Sequence, residues 1–239
     1  MQLVLSEISP EAPIALQAVK ALAQYLKSPE SDRQQVVDQV TGWIDDASVA
    51  SNATVLLVAG LIQALEGNLE MALRACHRGL SLEMMALAVQ ICLRMNRVDL
   101  AEKMVTAMSA VDEDAPLSQL AAAWVGLQQG GDKLQEAFFI FQELGDKYTW
   151  TGRLHNGLAA CQMQLGRWEE AEAELLQAYE KNAKDPDTLA NLAVVSLHLN
   201  KPATRYFTLL KGIAPQHSLL VRTAEAQGAI EKAIASFQP

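Results

Sequence analysis

The chain has 239 residues, which is enough for one or two domains and for a hydrophobic core that needs no disulfide or metal support. Its 19 basic and 28 acidic residues give a formal net charge of −9, which argues against direct binding to nucleic acid or to an anionic membrane surface. The 37 alanines and 34 leucines, against only 5% aromatic residues, are typical of closely packed helices.

The cysteines and the apolar segments bear on the cellular compartment. Cys76, Cys92 and Cys161 are odd in number and never form a C-x-x-C pair, which indicates a reducing compartment without a disulfide framework. The longest nearly unbroken apolar run, residues 55–62, has less than half of the roughly 20 residues that a membrane span requires, and the start of the chain lacks the basic head of a signal peptide. We therefore expect a cytoplasmic protein that reaches membranes only through its partners.

The N-terminal region carries two predicted helices, residues 12–26 and 34–44. Pro29 lies between them and disfavours a helical backbone at the residue before it, so the two segments are separate. Residues 1–8 resemble the last part of a helix whose pairing partner is absent. We interpret residues 1–47 as partial and degenerate N-terminal repeats.

A period of 34 residues is visible further along the chain. The clearest unit, residues 156–179, reads as one helix that ends at Gly166 and a second helix that begins at Trp168. A shift of 34 residues places Ala159 on Ala193, with neighbouring residues also in register. This is the period of the tetratricopeptide repeat, in which each unit is a pair of antiparallel helices.

Three positions recur in the other units and support this register. The second helix carries a small residue at Ala72, Ala101, Ala137 and Ala171. The first helix carries a mostly small residue at Gly60, Val89, Val125, Ala159 and Ala193, so that paired helices can approach closely. The turn before each second helix holds Gly67, Asn96, Asp132 and Gly166, residue types that tolerate a left-handed backbone. Larger residues such as Phe141 and Leu175 are expected to fill the gap to the neighbouring repeat.

These observations predict five tetratricopeptide-like repeats over residues 53–217. Residues 218–237 form one more amphipathic pattern, with Leu219, Leu220 and Ile234 available for one face. We interpret the region 218–239 as a C-terminal capping helix over the last repeat. The predicted fold is an all-α, tetratricopeptide-type α-solenoid, a right-handed superhelix of antiparallel helix pairs, in a single domain.

The sequence offers no pattern typical of a catalytic, metal or cofactor site. Residues 126–133 approach a phosphate-binding loop, but Asp132 precedes the lysine and the segment follows a helix rather than a strand. The histidines lack paired metal-ligand spacing, and His155 and His198 are expected to be structural or groove residues. We therefore predict a protein that is not an enzyme and has no cofactor.

The acidic clusters have structural interpretations. Residues 112–114 precede Pro116 and suit the positive end of the following helix, and Asp187 is a candidate helix cap. Four further carboxylates are expected to form a solvated face of the second helix in their repeat. These are Glu169, Glu170, Glu172 and Glu174.

Short segments along nearly the whole chain carry a more specific resemblance. They are residues 2–8, 16–20, 91–102, 112–114, 119–124, 135–137, 156–157, 184–192, 196–199 and 205–206. In the same order, these segments resemble the epsilon subunit family of coatomer, the COPI coat of vesicles that move between the Golgi apparatus and the endoplasmic reticulum. Members of that family usually carry another helical segment before the one that matches residues 1–8, so the resemblance implies that an N-terminal segment is missing here.

The resemblance implies a noncatalytic structural subunit. In that family the repeats bind and stabilise the C-terminal domain of the coatomer alpha subunit, within a subcomplex that also holds the beta-prime subunit. The implied role is Golgi-to-ER retrograde and intra-Golgi vesicle transport. The implied location is the cytoplasm, with peripheral association to Golgi membranes and COPI-coated vesicles through the coat.

Stacked helix pairs present the first helix of each repeat on a concave face, which is the usual binding face of such arrays. On the register above, the candidate partner-binding residues are Leu57, Leu61, Gln90, Gln119, Ala122, Arg153, Asn156, Met163, Val194, Leu197 and His198. This mostly apolar and amide lining suits a permanent protein partner. The alternative for Leu57, Leu61 and Val194 is that they belong to the interhelical core.

Two other functions remain as alternatives. A co-chaperone-like adaptor that binds an acidic peptide tail needs several cationic residues in its groove, whereas Arg153 is the one cation among the candidates. An enzyme on a helical-repeat scaffold needs a convergent nucleophile, base or metal set, which the sequence does not reveal.

Overall fold

The computed structural model describes residues 2–46, 48–49, 51–77 and 81–237. In these residues the secondary structure is helical, with one 3-10 turn at Glu30–Asp32 and no strand. The chain divides into two compact units, Met1–Gln128 and Gln129–Pro239. Met1, Ala47 and residues 238–239, which the predicted terminal regions include, lie outside the described residues.

The first unit begins with a short helix, α1, and two longer helices that confirm the predicted N-terminal segments. The helices of this unit are α1 (Gln2–Glu7), α2 (Ile14–Lys27), α3 (Gln34–Asp45), α4 (Ala53–Leu65), α5 (Leu69–Cys76), α6 (Leu82–Arg94), α7 (Val98–Val111) and α8 (Pro116–Gln129), the last of which ends at the boundary between the units. Tyr25, Val40 and Ile62 belong to one core cluster, which joins α2, α3 and α4.

In the described residues, the second unit contains helix α9, two complete helix pairs and a final helix. Its helices are α9 (Lys133–Lys147), α10 (Gly152–Gln164), α11 (Trp168–Lys181), α12 (Pro186–His198), α13 (Thr204–Ile213) and α14 (Ser218–Ser236). Helices α10 and α11 contact each other, as do α12 and α13. In the first unit the corresponding pairs are α4 with α5 and α6 with α7. None of the helices in the described residues is both long and apolar enough to span a membrane.

The burial of the recurring small residues agrees with the predicted repeat register. The small residues of the second helices are at most 1% exposed, and those of the first helices are also buried. Gly60 lies close to its neighbours, because a Cβ atom added there would lie 3.3 Å from Leu87 Cδ2, which is tighter than most such contacts, and 3.5 Å from Ala75 Cβ. The larger residues Phe141 and Leu175 are buried, as expected.

Four interhelical turns share one hydrogen-bonded form. The turn residue has a positive φ at Gly67 (84°), Asn96 (56°), Gly166 (75°) and Asn200 (56°). At Gly166 the backbone N–H donates to Met163 O at 3.1 Å, and the next N–H donates to Gln162 O at 2.9 Å. This is the Schellman arrangement, which satisfies the last carbonyl groups of the first helix.

The prediction for the remaining turn is wrong. Asp132 has an ordinary right-handed backbone with φ of −63°, and the left-handed residues are Gly130 and Gly131. Two successive left-handed residues cost least in glycine, because glycine has no Cβ atom to clash with the following carbonyl oxygen. Asp132 instead stands at the N-terminal boundary of α9.

The C-terminal helix α14 forms as predicted, but its packing is confined to its beginning. Leu219 and Leu220 pack against the cluster that contains Leu189 and Leu210. No residue of α14 is buried, and Ile234 is 69% exposed. The contact expected of a capping helix is therefore made by the first turn of α14.

Candidate partner-binding face

The first helices of successive pairs contact one another within each unit. Helix α4 contacts α2 and α6 in the first unit, and α10 contacts α12 in the second. Each unit thus places first helices side by side. The predicted candidates lie on these helices or on α8: Leu57 and Leu61 on α4, Gln90 on α6, Gln119 and Ala122 on α8, Arg153, Asn156 and Met163 on α10, and Val194, Leu197 and His198 on α12.

Helix α4 presents a leucine stripe. Leu57 and Leu61 are half-buried and pack against a cluster that includes Ala72 and Ile91. Leu65, one turn further on, is 51% exposed. The three leucines are spaced by four residues and therefore share one side of the helix. Leu57 and Leu61 contribute to the core while part of each side chain stays accessible, and Leu65 extends the stripe beyond the predicted set.

The candidates on α6 and α8 are mainly polar or small. Gln90 is exposed, whereas Gln119 and Ala122 are half-buried. The side-chain oxygen of Gln119 is buried and has no hydrogen-bond partner among the described residues. Buried amide oxygens normally accept a hydrogen bond, so the Gln119 side-chain oxygen is an exception to this rule on α8.

Asn156 is a structural residue of the second unit, because its side chain joins α10 to α12. Its Nδ2 group donates to Thr188 Oγ1 at 2.6 Å and to Gly152 O at 3.1 Å, and its Oδ1 atom accepts from Asn191 Nδ2 at 3.1 Å. Thr188 Oγ1 in turn donates to Asp185 Oδ2 at 2.7 Å. These side chains form one hydrogen-bonded network that fixes the two first helices against each other.

The histidines of the second unit have structural partners, as expected. His155 is buried, its Nδ1 atom lies 2.7 Å from Glu174 Oε2, and its ring stacks on Trp150 with centroids 4.8 Å apart. His198 is exposed on one side and stacks on Trp168 with centroids 3.7 Å apart.

The prediction that four carboxylates of α11 form a solvated face is correct for two of them. Glu169 and Glu170 are exposed, but Glu174 contacts His155, and Glu172 forms an ion pair with Lys201. The two partners come from α10 and from the segment after α12, and thus link α11 to its neighbours.

The remaining candidates on α10 and α12 give a mainly apolar surface. Met163 is half-buried and packs against a cluster that includes Leu175 and Val195. Val194 is half-buried, and Leu197 is 56% exposed. An exposed leucine beside half-buried apolar residues offers surface that a partner can bury.

Arg153 lies in the first turn of α10 and is exposed. It lines a cleft of about 600 Å³ together with Trp150, Lys181 and Thr188. Lys181 stands in the last turn of the second helix α11 and is not among the predicted residues. The repeat pattern could have indicated Lys181, because antiparallel pairing brings the end of a second helix close to the start of its first helix.

The residue that caps α12 differs from the predicted one. Asp185, and not Asp187, caps α12, since its Oδ2 atom accepts from the Thr188 backbone N–H at 2.9 Å. Pro186 occupies the first helical turn, where its missing N–H group does no harm. Before α8, Asp112 Oδ1 accepts from the backbone N–H groups of Asp114 and Ala115, in line with the predicted role of that acidic segment.

We expect Asp185→Ala to lower the free energy of unfolding by about 1–2 kcal/mol, because it removes the cap of α12 and an acceptor for Thr188. Asp187→Ala is the matched control, since Asp187 is exposed and its side chain is hydrogen-bonded to His217 rather than to the backbone of α12. Its expected effect is about 0.5 kcal/mol or less. Urea unfolding followed by circular dichroism measures both values. Equal losses would contradict the assignment of the cap.

The cysteines are buried thiols. Burial raises the pKa of Cys76 to about 11 and that of Cys161 to about 12, and it also raises the pKa of Cys92. Such thiols are almost fully protonated at neutral pH and are therefore poor nucleophiles. In the described residues, no group of His, Cys, Asp and Glu side chains has a geometry that could hold a metal ion.

Comparison with solved structures supports the fold. The chain is similar to a tetratricopeptide repeat protein from Parabacteroides merdae, with a TM-score of 0.73 and 16% identity over 90% of this chain and 84% of that chain. It is also similar to a chain of the APC/C hetero-tetramer Cut9-Hcn1, with a TM-score of 0.67 and 17% identity over 92% of this chain and 45% of that one. The predicted all-α tetratricopeptide-type fold is confirmed.

Comparison with known sequences is more specific. A sequence model of the family described as coatomer epsilon subunit matches residues 1–238. Coatomer subunit epsilon-1 of Arabidopsis thaliana is 46% identical, over 99% of this chain and 80% of the relative. Coatomer subunit epsilon-1 of Oryza sativa subsp. japonica is 45% identical, over 98% and 80%, and the coatomer subunit epsilon of Dictyostelium discoideum is 32% identical, over 92% and 74%. The chain therefore belongs to the coatomer epsilon subunit family.

Proposed function

We propose that this protein is a noncatalytic subunit of the COPI coat that binds and stabilises the C-terminal domain of the alpha subunit. Family membership supports a place in coatomer. The observation that carries the binding proposal is exposed apolar surface on first helices of both units, where Leu65 is 51% and Leu197 is 56% exposed. The beta-prime subunit belongs to the same proposed subcomplex.

The chemistry of these surfaces supports a long-lived protein partner. On α4, the half-buried Leu57 and Leu61 lie on the same side as the exposed Leu65. A partner segment that packs against these leucines would extend the existing core. On α12, Leu197 lies beside half-buried Val194 and next to the stacked ring of His198. Apolar and aromatic groups in the middle of an interface, rather than charges, are typical of permanent complexes.

The mechanism is thermodynamic. A partner segment that binds only in its ordered form is stabilised by mass action, and the same contacts stabilise the repeats of this chain. In the coat, the subunit supports Golgi-to-ER retrograde and intra-Golgi transport. It associates with Golgi membranes peripherally, through the other subunits.

A binding titration with the purified C-terminal domain of a coatomer alpha subunit tests this proposal. We expect the parent chain to bind at 1:1 stoichiometry, and Leu65→Glu and Leu197→Glu each to weaken binding about tenfold or more, because each buries a carboxylate against apolar groups. Isothermal titration calorimetry measures the affinity and stoichiometry, and circular dichroism checks the helix content.

Two matched controls use exposed apolar residues on second helices. Val111 is 63% and Leu176 is 41% exposed. Val111→Glu and Leu176→Glu introduce the same charge outside the proposed faces and are expected to leave the affinity unchanged within about threefold. Absence of binding by the well-folded parent chain, or equal losses in the control variants, would overturn the proposal.

A further inference from the structure

The cleft beside Arg153 lies within the second unit, at the start of α10, the end of α11 and the first turn of α12. Its volume is about 600 Å³, large enough for one or two side chains of a bound segment. The residues that give it chemical character are Trp150, Arg153, Lys181, Asp185 and Thr188.

Two walls of this cleft are fixed by contacts that need no ligand. Thr188 is fully buried, and its hydroxyl group accepts from Asn156 and donates to Asp185. Trp150 stacks on His155, and its Nε1 atom donates to Asp146 Oδ1 at 3.1 Å. Walls that are held in place before binding lower the entropy that a ligand must lose to order them.

The charges of the cleft are unbalanced in favour of cations. Arg153 and Lys181 are both exposed, and neither forms an ion pair within the part of the chain that the structure describes. Asp185 is the acidic lining residue, but its Oδ2 atom already accepts two hydrogen bonds from Thr188 at the positive end of α12. In a chain with a net charge of −9, two unpaired cations on one cleft favour a negatively charged ligand group.

We infer that this cleft receives an acidic side chain of the bound segment of the alpha subunit. The carboxylate lies between Arg153 and Lys181, and the neighbouring atoms of the segment contact the Trp150 ring. This inference rests on the proposed function and adds to it a specificity element, because the apolar faces on α4 and α12 do not distinguish between apolar partners. Arg153 was a predicted binding residue, and Lys181 supplies the second cation that an acidic segment requires.

The test compares two double charge reversals in the same titration with the C-terminal domain of the alpha subunit. Arg153→Glu with Lys181→Glu is expected to weaken binding about tenfold to hundredfold and to remove most of its dependence on salt concentration. Lys211→Glu with Arg222→Glu changes the net charge equally at exposed sites outside the cleft lining, and is expected to change the affinity by about threefold or less. Arg153→Gln with Lys181→Gln provides a milder variant if the reversed one loses helix content.

The outcomes separate this inference from the proposed function. If the parent chain binds and the cleft variants bind equally well, the cleft inference is wrong and the apolar faces still account for binding. Equal losses in the cleft variant and the surface control would indicate general charge attraction and would also overturn the inference. If the parent chain does not bind, both the inference and the proposed function fail.

Discussion

Gly157→Ala is expected to destabilise the second unit by about 1–3 kcal/mol, although alanine is the better helix former. A Cβ atom on Gly157 would lie 2.6–2.8 Å from three ring carbons of Phe141. Phe141 is only 2% exposed, so its ring must displace buried neighbours or leave the core to make room. The overpacking should therefore exceed the gain in helix propensity. Urea unfolding followed by circular dichroism measures the difference.

Two variants control this result. At Gly228, also in a helix, an added Cβ atom meets nothing within 4 Å, and Gly228→Ala should raise stability by about 0.5–1 kcal/mol. Phe141→Leu in the Gly157→Ala background should restore part of the lost stability, because the smaller side chain leaves room for the new methyl group. If Gly157→Ala were as stable as the parent chain, the close contact of α9 with α10 would be disproved.

The repeat register was predictable from the sequence because its cause is local and recurs. Wherever paired helices approach closely, a small residue must occupy the contact, as Ala72 and Ala171 do. Likewise, a turn that closes a helix with two backbone hydrogen bonds needs a residue that tolerates positive φ, as Gly166 and Asn200 do. Such requirements act within one helix pair, so the same residue types recur in the sequence at a regular spacing.

The predictions for Asp132 and Asp187 are wrong because residue spacing alone does not fix the conformation of a turn or the position of a helix cap. Asp132 lies five residues before Ala137, as Gly166 lies five residues before Ala171, but in this turn the left-handed residues come one and two positions earlier. The Gly130-Gly131 pair was the better signal, since glycine adopts a left-handed backbone without strain. At α12, the pair Asp185-Pro186 outranks Asp187, because proline prefers the first helical position directly after the cap.

Contacts between distant parts of the chain were not predictable from one sequence. Glu174 meets His155, 19 residues away, and Glu172 meets Lys201, 29 residues away. Helical spacing shows that Glu172 and Glu174, two residues apart, point to different sides of α11, but not which groups of the neighbouring helices face them. For the same reason the pattern of α14 predicted a helix, but it did not predict that the packing ends after the first turn.

The candidate face was predicted as a set of positions rather than as a set of contacts. Arg153 and Leu197 are exposed, as residues that bind a partner must be. Asn156 lies on the same helix as Arg153 but uses its hydrogen bonds on Thr188, Asn191 and Gly152. Whether a polar residue of a first helix is available to a partner depends on the side chains of the next repeat, and these enter only with the folded structure.

Leu175→Ala is expected to lower the free energy of unfolding by about 2–5 kcal/mol, which makes it the most destabilising substitution considered for α11. Leu175 is fully buried and belongs to a cluster with Ala159, Ala171 and Leu192, so its truncation leaves a cavity between neighbouring helix pairs. The adjacent Leu176 is 41% exposed and provides a control of identical chemistry one position along the same helix. Leu176→Ala should cost about 1 kcal/mol or less, because little apolar area is lost from the core. Denaturant unfolding of the two variants therefore tests the repeat register directly, since a shift by one residue would exchange their effects.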